Sequence, residues 1–270
     1  MRQIIIKPQL PKLLFKSELG RVWVSSSVDA FSLEASSRLR QIIAEFPPSK
    51  SPLTIGLSGG ATPRQIYSYL GQFLMRESAT GPIETFQTDE RNVAADHPDS
   101  NQKMIRESLL AGGHFDRMRF YPIEVIKDKP LETAASYEAL LNEKFSREDR
   151  PSGRMDLQIL GLGEDGHFAS LFPETDWREP EIDNPAREFE GKYFKAVWVE
   201  SLRTFRFTMT FQFLARSKTA VFLIAGKKKA AILKHIFSRK NNHLPAAAFA
   251  AKHPCDWLLD PESVALLVEK

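Results

Sequence analysis

The chain has 270 residues, 42% of them hydrophobic and 26% charged, with a formal net charge of +3. This composition excludes a disordered tail or fibrous repeat, and basic residues spread along the chain argue against nucleic acid as a partner. No apolar run reaches the roughly eighteen residues of a membrane-spanning helix, the single Cys255 excludes an internal disulfide, and the opening MRQIIIKPQL lacks a signal-peptide core, so a cytoplasmic location is expected.

In chain order, strands are expected at residues 22–25, 54–57, 84–88, 157–160, 194–199 and 220–225, all short runs rich in aliphatic, β-branched or aromatic residues. After the first of them, Val28, Phe31, Ala35, Leu39, Ile42, Ile43 and Phe46 recur at three- and four-residue spacing, which predicts an amphipathic helix over 28–46. Helical patterns follow in RQIYSYL, beyond Ser100-Asn101, over 131–145 and over 230–237, with Pro63 and Pro130 where a first-turn proline is tolerated. The alternation predicts an α/β fold, a Rossmann-like and mostly parallel sheet with helices on both faces, as one domain over residues 1–270. The charge-rich stretch 176–191 reads as a surface excursion from it.

Ligands of open α/β sheets bind at the carboxyl ends of the strands, and three loops there carry chemistry. Ser58-Gly59-Gly60-Ala61-Thr62-Pro63 leads into a helix. Its paired glycines let the backbone approach a ligand, the helix N-terminus favours an anion, and Thr62 can cap the helix or donate to a phosphate oxygen. Without the Lys-Ser/Thr ending of a nucleoside-triphosphate loop, ATP is not implied; a plain capped turn stays open as the alternative. The second loop begins Asp89-Glu90-Arg91. Here a guanidinium can grip phosphate bidentately while carboxylates orient it, or the three residues form a surface ion-pair network. Asp96, His97 and Asp99 read as an ordinary polar loop. The third loop, GLGEDG at 161–166, spells G-x-G-x-x-G, but Pro173 follows too soon for the helix a dinucleotide fingerprint requires. His167 has Glu164 and Asp165 nearby but no second histidine or cysteine at ligand spacing, so no metal is expected. His167 is then either a proton acceptor at a strand tip, its ring oriented by Asp165, or a histidine satisfied by loop hydrogen bonds. The run Lys227-Lys228-Lys229 reads as facing solvent.

The strings LSGGATPRQIY, TDERNVAADHPDSN and DLQILGLGEDGHFASLFPET, followed by SLRTFRFTMTFQFLARSKTAVFLIAGKKKAAIL, LPAAAF and DWLLD, resemble the 6-phosphogluconolactonase family from about Val22 onward. DGHFASLFP is the most specific piece. The related glucosamine-6-phosphate deaminases typically continue Asp-Gly-His-Ile-Ala-Phe-Asn-Glu-Pro. The resemblance implies a sugar-phosphate isomerase-like fold and hydrolysis of 6-phospho-D-glucono-1,5-lactone to 6-phosphogluconate in the oxidative pentose phosphate pathway. Its ligand would be a phosphorylated sugar lactone, with no cofactor and no metal. Carried onto this sequence, it implies His167 and Asp165 as the catalytic pair and Ser58, Gly59, Gly60, Thr62, Arg91, Arg203 and Arg206 as substrate-binding residues. Arg203 stands where the family often has the lysine of Ser-Pro-Lys-Pro-Pro, and Arg206-Phe207-Thr208 where it has Arg-Ile-Thr. A deaminase or isomerase of a sugar phosphate, or a silent sugar-phosphate binder, would use the same loops. Monomer and dimer are equally compatible with the sequence.

Overall fold

The computed structural model describes residues 9–47, 51–76, 81–111, 117–146, 153–177, 191–238 and 243–268. Its elements are β1 (Lys12–Ser17), β2 (Gly20–Val24), α1 (Phe31–Glu45), β3 (Leu53–Leu57), α2 (Ala61–Arg76), β4 (Ile83–Gln87), β5 (Asp89–Arg91), α3 (Asn101–Ser108), β6 (Met118–Tyr121), α4 (Pro130–Phe145), β7 (Leu157–Leu160), β8 (Phe194–Val199), β9 (Thr204–Met209), α5 (Phe211–Ala215), β10 (Thr219–Ile224), α6 (Ala230–Phe237), α7 (Pro245–Lys252) and β11 (Cys255–Leu259).

Strands buried on both faces read as continuous apolar runs, and β10 shows why. Ala220, Phe222 and Ile224 join one core while Val221 and Leu223 join another. The first core takes apolar residues of α4, α5, α6 and α7, the second those of α1, α2 and α3. Helices therefore cover both faces. In the main sheet the order is β1-β2-β11-β10-β7-β3-β4-β6, and every neighbouring pair is parallel except β1 with β2. From β3 the sheet grows outward through β4 to β6, and from β7 it grows the other way through β10 to β11. The order reverses between β3 and β7, so the loops leaving Leu57 and Leu160 part there and open a crevice.

The expected strand at 194–199 forms, but outside the parallel sheet. It belongs to an antiparallel sheet of order β5-β9-β8. The reason is its short return: only residues 200–203 separate it from β9, turning through Arg203 at φ 48°, whereas a parallel neighbour requires a crossover of about a dozen residues or more. Thr88 joins the two sheets. Its N–H donates to the Leu57 carbonyl at 3.0 Å and its carbonyl accepts from the Met209 N–H at 2.7 Å. Phe194, Phe207 and Met209 of the small sheet share the aromatic core with Phe86, Phe168 and Phe222.

The helix expected from residue 28 starts three residues later, and Val28 is exposed. Serine hydroxyls compete with the helix for backbone groups here: Ser25 Oγ donates to the Ser27 carbonyl at 2.8 Å, and Ser27 Oγ accepts from the Ala30 N–H at 3.1 Å. Strands β1, β5, β6, β9 and β11 were not expected. Residues 178–190 of the excursion lie outside the described residues. Among the described residues, no helix is long and apolar enough to cross a membrane.

Candidate active site

Beyond Leu160 the chain folds into a tight turn: the Gly163 N–H donates to the His167 carbonyl at 2.8 Å, and the Gly166 N–H to the Gly163 carbonyl at 3.2 Å. Gly166 holds φ +84°, a conformation that favours glycine. At Gly163 the constraint is space, because a methyl group would overlap His167 Nδ1 and Asp165 Oδ1. Asp165 Oδ1 accepts from the His167 N–H at 3.1 Å and lies 2.6 Å from the ring Nδ1. An ionised carboxylate there places the ring proton on Nδ1 and leaves Nε2 free to accept. Burial works to raise the Asp165 pKa, but the hydrogen bonds and charge of His167 outweigh it and leave it below the ordinary carboxylate value. The pair's contribution to stability is thus present above the unfolded carboxylate pKa and lost as pH falls through the lowered folded value.

The next residue, Phe168, is fully buried against Phe249, with ring centroids 4.8 Å apart, and His167 stacks on Phe172 at 4.2 Å. Gly163→Ala forces the imidazole from Asp165. The expected result is a single Nδ1–H tautomer in the wild type and a tautomer mixture in the variant, read from His167 nitrogen chemical shifts; identical shifts would contradict the assigned contact.

Strand β5 pairs with β9 so that Arg91 lies opposite Arg206. Arg206 has its pKa lowered by burial first and by the Arg91 charge second, while Asp89, Glu90 and Asp99 act in the opposite direction. Arg91 donates to the Asp99 carbonyl at 2.6 Å. Two half-buried guanidinium groups facing each other are relieved by an anion between them. Glu90, only 1% exposed, accepts from the N–H groups of Arg91 (2.8 Å), Asn101 (2.7 Å) and Gln102 (2.7 Å). Burial raises its pKa and these N–H groups oppose the rise. Asp89 Oδ2 accepts from Ser170 Oγ at 2.8 Å, which ties β5 to the histidine loop.

These loops enclose one cleft of about 650 Å³ at the β3/β7 switch point. It brings together Ser58, Gly59, Gly60, Thr62, Arg91, Asp165, His167 and Arg206. Thr62 is the second residue of α2, so it sits in the first turn instead of capping it. Arg203 is exposed on the turn between β8 and β9 and is not among the cleft-lining residues. Lys229 also lines the cleft, contrary to the solvent-facing reading of its run, because Gly226 at φ +94° and one tight turn carry it back over the end of β10. Its pKa is lowered by burial, which the charges of Glu164 and Asp165 oppose. Asp89, which the sequence offers only as a carboxylate orienting Arg91, lines the cleft too, as does Asn101, for which the sequence suggests no role. Among the described residues, no three His, Cys, Asp or Glu side chains are grouped so as to hold a metal ion.

Fold and cleft define an α/β protein with an arginine- and lysine-lined cleft where its parallel sheet reverses. The model of the glucosamine-6-phosphate isomerases/6-phosphogluconolactonase family matches residues 26–257, and the chain belongs to that family. A 6-phosphogluconolactonase of Synechocystis sp. is 34% identical over 230 residues, covering 84% of this chain and 88% of the relative. One from Homo sapiens is 30% identical over 259 residues, covering 89% and 93%. The structure of 6-phosphogluconolactonase from Trypanosoma brucei superposes with a TM-score of 0.73 at 25% identity, covering 92% of this chain and 98% of that one. That from Trypanosoma cruzi, at TM-score 0.74 and 23% identity, covers 97% and 100% and bears on the fold alone.

Proposed function

We propose that this chain hydrolyses 6-phospho-D-glucono-1,5-lactone to 6-phosphogluconate in the cytoplasm, as a step of the oxidative pentose phosphate pathway, and that its 270 residues act as one domain. One observation carries the chemistry: a single cleft holds both the Asp165-bound His167 and the opposed Arg91 and Arg206. Relatives named 6-phosphogluconolactonase support the choice of substrate.

A lactone is a cyclic ester. Its hydrolysis requires a nucleophile at the carbonyl carbon, a stabilised oxyanion and a proton for the departing ring oxygen. His167 Nε2 takes a proton from water, whose oxygen adds to the carbonyl, and the resulting imidazolium faces the Asp165 carboxylate. As the tetrahedral intermediate collapses, the imidazolium returns its proton to the ring alkoxide. The backbone N–H groups of Gly59 and Gly60 receive the oxyanion. Arg91 and Arg206 hold the 6-phosphate, so a part of the substrate that does not react fixes the part that does. Ser58 and Thr62 contact the sugar hydroxyls, and Arg203, exposed on the turn between β8 and β9, attracts the phosphate by its charge.

One observation favours the reversed orientation: Lys229 and the N-terminus of α2 line the same cleft and form a second anion site. In that reading the phosphate rests on the glycine loop and the arginines face the carbonyl.

The function is tested by following hydrolysis of freshly generated 6-phosphogluconolactone at fixed pH with and without the protein. Turnover clearly above spontaneous opening is expected. Ammonia release from glucosamine 6-phosphate without lactone turnover would overturn the reading in favour of a deaminase.

A further inference from the structure

We propose that Asn101 is a positioning residue for this reaction, holding the Gly59 peptide in place relative to the Asp89–Arg91 strand. The proposal rests on the lactonase reading above. Asn101 opens α3 and is itself fixed twice: its N–H donates to Glu90 Oε1 at 2.7 Å, and its Nδ2 donates to the Asp89 carbonyl at 3.0 Å. A carbonyl only accepts, so the second bond sets which end of the carboxamide faces β5. Oδ1 is thereby turned away from β5 and, buried, has no hydrogen-bond partner among the described residues.

What lies beside that end is Gly59. A methyl group built on Gly59 would overlap both Oδ1 and Cγ of Asn101, so the carboxamide fills the space a side chain at position 59 would take. Consecutive glycines leave the Ser58–Gly60 backbone with conformational freedom that no side chain of its own restrains. A buried, doubly anchored carboxamide against the Gly59 Cα supplies that restraint. The same Glu90 carboxylate holds the Arg91 N–H at 2.8 Å. The oxyanion loop and one half of the phosphate clamp are thus referenced to one another through Asn101 and Glu90. An unpaired buried acceptor is otherwise costly to keep, and close packing on Gly59 gives it a role.

The test is a double-mutant cycle on hydrolysis of 6-phosphogluconolactone with spontaneous opening subtracted. Asn101→Ala lowers kcat about 10²-fold, the scale of a misplaced catalytic group, and KM stays near wild type because the Glu90 bond to the Asn101 backbone survives. Gly59→Ala, whose added methyl meets the carboxamide, lowers kcat likewise. In the double variant the methyl occupies the vacated space, so the combined loss is smaller than the product of the single losses by about tenfold. Losses that simply multiply would overturn the proposal, and so would a lower unfolding midpoint with kcat of the folded protein unchanged. Should Asn101→Ala fail to fold, Gly59→Ala probes the same contact from the other side, and wild-type kcat there would overturn it equally. If the wild-type protein does not accelerate hydrolysis, the lactonase reading falls and the positioning role with it; wild-type turnover without coupling removes the positioning role alone.

Discussion

His167→Ala lowers kcat/KM for 6-phosphogluconolactone by about 10²–10⁴-fold, the usual contribution of a positioned general base, while the variant folds as the wild type does. The loss is large because the Asp165 contact leaves the ring Nε2 of His167 free to accept, and neither Asp165 nor Asp89 replaces it. Asp165 is held to His167, and its lowered pKa makes it a poor proton acceptor at neutral pH. Asp89 has its Oδ2 engaged by Ser170, and the remaining cleft cations donate without accepting. The fold survives because the turn is held by backbone groups and by neighbours that alanine leaves alone. The Gly163 N–H bonds the His167 carbonyl, and Phe168 anchors the loop in the core. Thermal unfolding and steady-state hydrolysis together check this. A variant that folds and turns over at nearly the wild-type rate would remove His167 from the mechanism.

Arg206→Ala, and separately Arg91→Ala, raise KM for the phosphorylated lactone by roughly ten- to a hundredfold, as expected from charge-assisted hydrogen bonds worth about 1.5–3 kcal/mol. Effects on kcat are smaller. Hydrolysis of unphosphorylated glucono-1,5-lactone changes little, since it has no group for the arginines to hold. Without ligand the two guanidinium groups repel across the β5/β9 register, and burial opposes the charge of Arg206. Arg206→Ala therefore weakens substrate binding without a matching loss of unfolding stability. Lys229→Met decides the substrate's direction: KM near wild type is expected for phosphate on the arginines, and an increase larger than that of Arg91→Ala would establish the reversed orientation.

The parallel sheet was legible because β3, β7 and β10 are doubly covered and read as short, largely apolar runs, and β4 as a run with β-branched and aromatic residues, each bounded by glycine, proline or charge. The three loops were legible because their chemistry sits in contiguous residues. What escaped depends on contacts distant in sequence. Strand β11 carries Asp256, 3% exposed, which reads as a poor strand residue until Arg21 at 2.6 Å and Arg38 at 3.2 Å are seen to pair with it. Strand β9 has an arginine at its centre, explained only by the cleft that Arg206 lines. Lys229 belongs to a run of three like charges, and a run of that kind normally marks a solvated face; the left-handed Gly226 that redirects it has no unique signature. Asn101 gave no local signal, because its partners Asp89 and Gly59 lie 12 and 42 positions away.

Whether an imidazole acts as base within a phosphate-gripping cleft is read from kcat/KM across pH for the wild type and His167→Asn, with spontaneous opening subtracted at each point. Wild-type activity is expected to fall on the acid side with the loss of one unprotonated group, and the variant to show neither this fall nor most of the activity. A variant that keeps the wild-type acid limb and its height would contradict a base role for His167.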